Sequence, residues 1–309
     1  MDARKVEKSI RTLKLAAEMS QQYYSKPLII TYSGGKDSDV LLHLAESCLT
    51  AEEFEVLNSH TTVDAPETVY HIRETFERLR KNGVKATVKY SKDKDGKPIT
   101  MWNLIPKKQI PPTLLSRYCC QVLKETSAPN RMVAVGVRSA ESIKRQGRDV
   151  FHTYGKSKRD ASYFSLEHAE EVYREAQELD EIWDCTLIKT AKQHGKLIVN
   201  PIYEWTDGDV WDYIRENNIQ TNPLYERGYH RVGCIGCPLA PYHQKVKEFS
   251  DYPKYKEAYI RAFERMIIER KKAGKDDPTW KDAQAVFDWW TERWKHECKG
   301  QMNLFDEGN

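Results

Sequence analysis

The sequence predicts an α/β protein whose core is a doubly wound, mostly parallel sheet, with a small helical appendage at the C-terminal end. Two observations predict this fold. Through most of the chain, short apolar segments of strand length alternate with longer segments of helical period, and this alternation is typical of parallel sheets with crossover helices. Towards the C-terminus only helical periodicity continues, at residues 252–272 and 282–295, which predicts the appendage.

Composition narrows the functional classes. The chain has 309 residues, enough to bury a full core, and its 31% charged residues and mean hydropathy of -0.74 indicate a highly charged surface. No apolar run is long enough to cross a membrane, and the N-terminus leads into a polar helix rather than a signal peptide, so we expect a cytoplasmic protein. A net charge of +3 is too small to indicate nucleic-acid binding by itself.

The first predicted elements surround a turn suited to holding an anion. A helix at residues 4–24 precedes a strand at 28–32, and a second helix begins near Ser38. Between strand and helix, glycines let the backbone turn and present N–H groups, Lys36 adds a positive charge, and the helix adds the positive end of its dipole. The Walker spacing is absent, and a plain Gly-Gly turn is the alternative. The loop consists of Ser33, Gly34, Gly35, Lys36, Asp37 and Ser38.

The next strands place a carboxylate at the sheet edge where doubly wound folds bind ligands. Strands are predicted at residues 54–58 and 84–90, with a helix up to residue 82 between them. Asp64 follows the first of these strands and is therefore a candidate ligand-binding residue. Local chemistry alone favours an N-cap whose capping box is closed by Glu67, and the two roles of Asp64 are compatible.

A strand predicted at residues 131–137 brings Arg138 to the same edge. Its guanidinium can donate two hydrogen bonds to one oxyanion, so Arg138 is a candidate for binding phosphate or sulfate, and a surface ion pair with Glu141 is the alternative. Residues 147–163 are predicted to form a basic loop, which is a lid, a nucleic-acid contact or merely a solvated surface. Its basic residues are Arg148, His152, Lys156, Lys158 and Arg159.

The remaining pattern completes the domain plan. A helix is predicted at residues 166–192, and a short helix is capped by Thr206 or Asp207. We therefore divide the chain into an N-terminal helix, a main α/β domain, a C-terminal helical region and a flexible tail. Their bounds are residues 1–26, 27–245, 246–298 and 299–309.

Four of the seven cysteines form two close pairs, and without a secretory signal we expect reduced thiols. Cys234 and Cys237 have the Cys-x-x-Cys spacing of two thiolates on one metal, with glycine N–H groups available to sulfur. That spacing alone equally fits a redox dithiol or half a zinc site. Cys119 and Cys120 cannot readily form an unstrained disulfide with each other, and two buried bystander thiols are the alternative to a functional pair.

Taken together, these motifs resemble the phosphoadenosine phosphosulfate (PAPS) reductase family of the PP-loop ATP pyrophosphatase superfamily, over residues 27–240. The motifs occur in the family's order, which makes the resemblance more specific than any one motif. They are the Ser33-to-Ser38 loop, the segment from Asp64 to Thr68, Cys119-Cys120 with Lys124, Gly136-x-Arg138, Pro201 with Trp205, and the segment from Asn222 to Cys237.

The resemblance implies an enzyme that binds an adenine nucleotide, adenosine phosphosulfate (APS) or PAPS, and reduces it with a thioredoxin-like partner. It implies that the loop, Asp64 and Arg138 line the nucleotide site, with Lys36 and Arg138 in catalytic roles. In the APS-reducing branch, a Cys-Cys pair and a Cys-x-x-Cys pair hold a [4Fe–4S] cluster beside the nucleotide. The corresponding residues here are Cys119, Cys120, Cys234 and Cys237, with Lys124 near the cluster.

The chain departs from the family at its C-terminus. The reductases carry a nucleophilic cysteine in a Glu-Cys-Gly-Leu-His tail, which attacks the sulfur, whereas this chain has Glu297-Cys298-Lys299-Gly300. Cys298 is the corresponding candidate nucleophile, because neighbouring cations lower the pKa of a thiol. The alternative is a bystander cysteine at a helix end.

A second function uses the same motifs. The DndC-type proteins of DNA phosphorothioation share both the loop and the cluster cysteines, so the alternative is an ATP-dependent sulfurtransferase acting on nucleic acid, with Mg²⁺ if ATP is used. The altered Cys298 motif favours it. Residues 301–305, with Gln301, Leu304 and Phe305, also resemble the peptides that dock on the sliding clamp, and a disordered end is the other interpretation.

Overall fold

The computed structural model describes residues 1–153, 162–178, 196–275 and 277–297. The chain divides into two compact units. The first unit comprises residues 1–58, 67–89 and 127–228, and the second comprises residues 59–66, 90–126 and 229 onward. Each unit is therefore discontinuous in sequence.

The strands form one sheet. They are β1 (Leu28–Thr31), β2 (Phe54–His60), β3 (Ala86–Tyr90), β4 (Arg131–Ala134), β5 (Phe151–Thr153), β6 (Ser162–Phe164) and β7 (Lys196–Val199). Within the described residues their order is β3-β2-β1-β4-β7-β5-β6. β1 is parallel to β2 and β4, and β4 is parallel to β7, whereas β5 is antiparallel to β7 and β6. The predicted doubly wound, mostly parallel sheet is confirmed.

The α-helices follow in chain order. They are α1 (Ala3–Tyr24), α2 (Lys36–Cys48), α3 (Pro66–Lys81), α4 (Met101–Lys108), α5 (Tyr118–Cys120), α6 (Ile143–Gln146), α7 (Leu166–Glu178), α8 (Asp207–Glu216), α9 (Tyr242–Asp251), α10 (Pro253–Lys272) and α11 (Ala283–Glu297). A π-helical turn, Gln121–Glu125, continues α5. No helix among the described residues is long and apolar enough to cross a membrane.

The first unit has a core on both faces of the sheet. Successive residues of a strand point to opposite faces, and β1 follows this rule. Leu28 and Ile30 belong to the large cluster that packs with the helices, whereas Ile29 packs with Val133 of β4 in a smaller cluster. β1 is therefore covered on both sides, as expected for a central parallel strand.

The second unit is organised around aromatic side chains. Tyr259 and Phe263 of α10 and Trp290 of α11 are completely or almost completely buried. The rings of Tyr259 and Trp290 lie 4.8 Å apart, and the indole N–H of Trp290 donates to Pro112 O at 2.7 Å. The C-terminal helices predicted from periodicity are confirmed as α10 and α11.

Several details of the prediction were wrong. β4 ends at Ala134 rather than at residue 137, because Val137 N–H donates to Val135 O in a tight turn. The segment 147–163 is not a loop throughout, since it contains β5 and the start of β6, and His152 is a buried strand residue. Helix α9 was missed because its buried side chains are mostly polar, which removes the apolar periodicity. Those polar residues are Gln244, Lys245 and Glu248.

Candidate functional site

The Ser33-to-Ser38 loop connects β1 to the N-terminus of α2. β1 lies between β2 and β4, where the strand order reverses, and this is the switch point at which doubly wound sheets bind ligands. The hydroxyl of Ser38 fixes the loop from inside: Oγ accepts from Gly35 N at 3.1 Å and donates to Gly35 O at 2.7 Å. Ser33 N–H also donates to Ser38 Oγ, at 3.3 Å.

Two glycines are required by their surroundings. Gly34 has a φ of +72°, and a Cβ there would lie 3.0 Å from Ile72 Cγ1. A Cβ on Gly136, just beyond β4, would lie 2.9 Å from the carbonyl oxygen of Asp37. The absence of a side chain at Gly136 therefore allows the segment after β4 to approach the loop closely.

Asn222 holds the loop from outside. Its buried amide donates to Gly34 O at 2.8 Å and to Thr68 Oγ1 at 3.1 Å, and its own oxygen accepts from Leu224 N at 3.1 Å. The sequence singled out Asn222 only as part of a family motif. Its role in bracing the loop depends on a partner 188 residues away.

Both cations predicted for the anion site lie at the loop and are buried. The Lys36 side chain is 9% exposed and that of Arg138 is 4% exposed. Arg138 Nε donates to Asp37 Oδ1 at 2.6 Å, and Arg138 Nη2 and Lys36 Nζ each lie 3.0 Å from Asp207 Oδ1. Two buried cations and two carboxylates thus form one network at the start of α2.

The ion-pair partners of Arg138 are not the one that the sequence offered, Glu141, and the binding of an oxyanion by Arg138 stays a prediction. Glu141 accepts from the backbone N–H of Arg138 at 3.0 Å and pairs with Arg145, whereas the guanidinium pairs with Asp37 and Asp207. Burial of Asp207 opposes its ionisation, but hydrogen bonds and charges from Lys36 and Arg138 outweigh this and lower its pKa. The sequence identified Asp207 only as a possible helix cap.

Tyr225 occupies the first N–H of α2. Its hydroxyl accepts a hydrogen bond from Lys36 N at 2.8 Å, and burial raises the pKa of Tyr225. The ring of Tyr225 meets Trp211 edge to face, with centroids 5.2 Å apart. No motif in the sequence indicated that this tyrosine caps the helix.

A buried polar cluster supports α2 from beneath. Tyr32 OH donates to Asp39 Oδ1 at 2.5 Å, and His71 Nε2 lies 3.1 Å from the same oxygen. Burial raises the pKa of Asp39 despite these contacts. Hydrogen bonds from Tyr32 and His71 therefore hold the first turn of α2, which follows the loop.

The Cys234-to-Cys237 loop belongs to the second unit. Ile235 N donates to Val63 O at 2.8 Å, and Gly236 N donates to the buried carboxylate of Glu248 at 2.8 Å. Gly236 has a φ of +69°. A Cβ there would meet ring atoms of Phe249, Trp290 and Tyr259 at 2.9, 3.0 and 3.2 Å.

Asp64 also belongs to the second unit and lies beside Cys234. The thiol of Cys234 donates to Thr61 Oγ1 at 3.3 Å and lies 3.9 Å from Asp64 Oδ1. Asp64 Oδ2 accepts from Thr61 N at 2.9 Å, and Asp64 O accepts from Tyr255 OH at 2.8 Å. The role of Asp64 in nucleotide binding stays a prediction.

Cys119 and Cys120 lie on α5, immediately before the π-helical turn. A hydrogen bond between the two side chains raises the pKa of Cys119 and lowers that of Cys120. The charge of Cys234 raises the pKa of Lys124, with further contributions from Asp64, Cys120 and Cys237. Lys124 therefore interacts electrostatically with cysteines of both pairs.

Four of the described cysteines have the ligand chemistry of an iron–sulfur cluster, and the cluster itself stays a prediction. The described cysteines are all free thiols, and four of them come from the two pairs. No three His, Cys, Asp or Glu side chains in the described ranges converge closely enough to hold a single metal ion. A four-iron cluster spreads its thiolate ligands over four metal atoms, so it tolerates wider spacing than one ion does. The residues that would hold it are Cys119, Cys120, Cys234 and Cys237.

Some predicted residues lie outside the described residues. These are Cys298, the proposed clamp peptide with Gln301, Leu304 and Phe305, the basic residues Lys156, Lys158 and Arg159, and residues 179–192 of the predicted helix.

The phosphoadenosine phosphosulfate reductase domain model matches residues 27–240, more than half of the chain. The chain belongs to this family. Residues 27–240 of this PAPS reductase family member include the loop, Arg138, Asp207 and all four paired cysteines.

Relatives of this family member are distant. The adenosine 5'-phosphosulfate reductase of Anoxybacillus flavithermus is 22% identical over 229 residues, which is 72% of this chain and 77% of that protein. An uncharacterised protein of Methanocaldococcus jannaschii is 24% identical over 270 residues, or 87% of this chain. The match spans 54% of that relative's own length.

Solved structures are similar only at a low level. The PAPS reductase of Candida auris in a phosphate complex has a TM-score of 0.41 and 14% identity, covering 77% of this chain and 97% of that one. The FMN adenylyltransferase of Candida glabrata in complex with ATP has a TM-score of 0.43 and 17% identity, covering 76% and 62%. The fold assignment rests on the strand order and the family match.

Proposed function

We propose that this PAPS reductase family member is a sulfonucleotide reductase that binds APS or PAPS at the Ser33-to-Ser38 loop. The observation that carries the proposal is the pair of buried cations, Lys36 and Arg138, at the N-terminus of α2. A buried cation is tolerated where an anion compensates its charge. The N-terminus of a helix likewise favours a negatively charged ligand. The phosphosulfate group supplies that anion.

Exposure indicates which group the ligand replaces. Asp37 is 23% exposed and lies within the loop, whereas Asp207 is 63% exposed. Water screens the exposed carboxylate of Asp207 more than the less exposed one of Asp37, so an incoming oxyanion displaces Asp207 more readily than Asp37. Arg138 then offers a planar fork and Lys36 a point charge to the same group.

The second unit supplies the cluster ligands in this proposal. Four free thiols and the charge of Lys124 fit a [4Fe–4S] cluster, because four thiolate ligands would give the bound cluster a net negative charge that a nearby cation stabilises. When bound, the cluster supplies a cross-link between the α5 segment and the Cys234-to-Cys237 loop, together with a local electrostatic field. Glu248 fixes the Gly236 N–H within that loop.

In the proposed reaction, thiols carry out the redox step. The Cys298 thiolate attacks the sulfur of the sulfate group, and a bond forms between Cys298 Sγ and that sulfur. The S–O bond to the phosphate breaks, and its electron pair leaves with AMP when the substrate is APS, or with the 3'-phosphate of AMP when the substrate is PAPS. A thiol of a thioredoxin-like partner then attacks Cys298 Sγ, and sulfite leaves with the electron pair. The second thiol of the partner resolves the mixed disulfide, so two thiols are oxidised for each sulfite formed.

The test is anaerobic turnover of the cluster-loaded protein with APS and PAPS plus thioredoxin. We expect sulfite release by the wild type and by Cys48→Ser, a half-buried cysteine outside both pairs, and its loss in Cys298→Ser. Sulfite release that survives in Cys298→Ser would remove that cysteine from the mechanism. Cluster-loaded wild type that makes no sulfite from either nucleotide would refute the reductase.

A second candidate function is favoured by the carboxylates at the same loop. Asp37 and Asp207 both lie beside the cations, and carboxylates are the oxygen ligands by which Mg²⁺ accompanies nucleotide phosphates. This arrangement favours Mg-ATP and hence a DndC-like adenylating sulfurtransferase acting on nucleic acid. Its signature is Mg²⁺-dependent pyrophosphate release from ATP when DNA is added. Absence of pyrophosphate with and without DNA would rule it out.

A further inference from the structure

We infer that the Asp207 carboxylate is a built-in competitor for the anion site, occupying the donors that a ligand oxyanion takes over. The inference rests on the proposed anion-binding role of the loop and deepens it. Asp207 thereby sets the affinity threshold of the site, because each ligand must displace it. This assigns Asp207 a role in specificity rather than in the chemistry itself.

The contact geometry is that of a bound ligand. One oxygen of Asp207, Oδ1, lies 3.0 Å from Lys36 Nζ and 3.0 Å from Arg138 Nη2. Both cations are buried, whereas the Asp207 side chain that contacts them is 63% exposed. A single carboxylate oxygen shared by a lysine and an arginine is the arrangement expected for a phosphoryl or sulfuryl oxygen.

Asp207 is not the N-cap of its own helix. α8 is capped by Thr206, whose Oγ1 accepts from Asp209 N at 3.1 Å, and Asp209 Oδ2 accepts from Thr206 N at 2.7 Å. This reciprocal pair forms a complete capping box. The side chain of Asp207 can therefore leave the cations while the start of α8 stays intact.

The second carboxylate of the network behaves differently. Asp37 accepts from Arg138 Nε at 2.6 Å and is less exposed than Asp207, so it keeps Arg138 in position when Asp207 leaves. Tyr225 also fills a ligand donor, since its hydroxyl accepts the Lys36 N–H. Asp207 thus occupies side-chain donors of Lys36 and Arg138, and Tyr225 occupies the backbone donor of Lys36. A ligand would replace both Asp207 and Tyr225 at these donors.

The experiment measures binding by calorimetry without Mg²⁺, for wild type, Asp207→Asn, Asp207→Glu and Asp212→Asn. Asp212 is an exposed residue of the same helix that pairs with Arg215, and it serves as the control for a lost surface charge. The probes are inorganic pyrophosphate, APS, PAPS and adenosine. Pyrophosphate reports on the anion site alone, and adenosine reports on a ligand without an anionic group.

We expect Asp207→Asn to bind pyrophosphate and the sulfonucleotides roughly fivefold more tightly than wild type, the equivalent of removing one exposed ion pair. Adenosine affinity stays unchanged, Asp207→Glu restores wild-type affinity, and Asp212→Asn behaves like wild type. Unchanged or weaker pyrophosphate binding by Asp207→Asn would overturn the inference and make Asp207 a residue that holds the cations in place. Failure of pyrophosphate to bind to any of the four proteins would overturn it as well.

The inference and the proposed function fail separately. If pyrophosphate shows the expected ratio while neither APS nor PAPS binds to wild type, the competitor role of Asp207 stands and the sulfonucleotide function fails. If wild type binds APS or PAPS but Asp207→Asn shows no gain, the function survives and the competitor role is refuted.

Discussion

The Ser33-to-Ser38 loop and the Cys234-to-Cys237 loop each contain a left-handed glycine, but different neighbours surround the two glycines. A Cβ on Gly34 would meet the aliphatic side chains of Ile72 and Thr68, which can shift. A Cβ on Gly236 would meet three aromatic rings that pack on one another. The first loop is held by exchangeable polar contacts and the second by rigid packing.

This difference matches the chemistry proposed for each loop. A nucleotide site must exchange its contacts in every turnover, so hydrogen bonds and ion pairs that can be replaced suit it. A cluster site must keep fixed thiol positions, which rigid aromatic packing around Gly236 provides. Substitutions should therefore have large effects at the packed loop and graded effects at the polar one.

Gly236→Ala should produce the largest loss of stability. The added Cβ collides with aromatic carbons and forces a left-handed conformation, which together cost about 4 kcal/mol in the free energy of unfolding. Urea denaturation measures it. Gly274→Ala is the matched control, because Gly274 also has a positive φ, +66°, but open space around it. Equal losses in the two variants would show that packing around Gly236 is not decisive.

Acid should act selectively on the first unit, through His152. Burial and, to a smaller extent, the positive charge of Arg148 lower the pKa of His152 to about 4. Between pH of about 6.5 and 4 the unfolded state binds a proton that the folded state does not, so stability falls as pH falls, by about 3 kcal/mol in total.

The measurement is the free energy of unfolding against pH for wild type and His152→Gln. The variant should lose this part of the pH dependence, whereas His168→Gln, which replaces a half-exposed histidine, should keep it. Parallel pH profiles for wild type and His152→Gln would contradict the assignment.

The sequence predicted the β1-loop-α2 unit well because each part is encoded locally. The apolar strand, the glycines and the apolar residues of the helix lie within about 20 adjacent residues, and their propensities agree. β5 and β6 were missed because they are strands of three residues, and β5 takes its hydrogen bonds from β7, which lies more than 40 residues away in sequence. Basic residues flank both short segments, from Arg148 to Arg159, and led to the interpretation of the whole stretch as a loop.

The contacts of the site were less predictable than its residues. Lys36 and Arg138 could be named from their positions beside glycines at strand ends. Their partner Asp207, and the roles of Asn222 and Tyr225 at the loop, depend on tertiary contacts across 69 residues or more. No periodicity or spacing encodes such contacts.

Asn222→Ala tests the polar bracing of the loop at intermediate magnitude. Removing the amide leaves Gly34 O and Thr68 Oγ1 buried without this donor, which should cost about 2 kcal/mol and weaken nucleotide binding. Thermal unfolding and APS titration measure the two effects. Asn217→Ala, an exposed asparagine that bonds to Tyr213 O, should cost far less. A loss no larger than in this control would show that Asn222 does not brace the loop.

Thr206→Ala should have the smallest effect. It removes the cap of α8 and should lower the free energy of unfolding by about 1 kcal/mol, the usual value for a lost N-cap. Because Asp209 and Lys5 keep their ion pair, the helix start is weakened rather than lost. Chemical denaturation at neutral pH provides the value. A loss above that of Asn222→Ala would invert the expected ranking.

The π-helical turn after Cys120 makes chain length itself part of the information in this segment. A π-helical turn contains one residue more than an α-helical one. Deleting one residue within Gln121–Glu125 would restore an ordinary helix and rotate Cys119 and Cys120 by about 100° relative to the following chain. Deletion of a single codon that spares every cysteine would thus redirect both thiols. Conversely, insertion of one residue into an ordinary helix would produce their present orientation in a single mutational step.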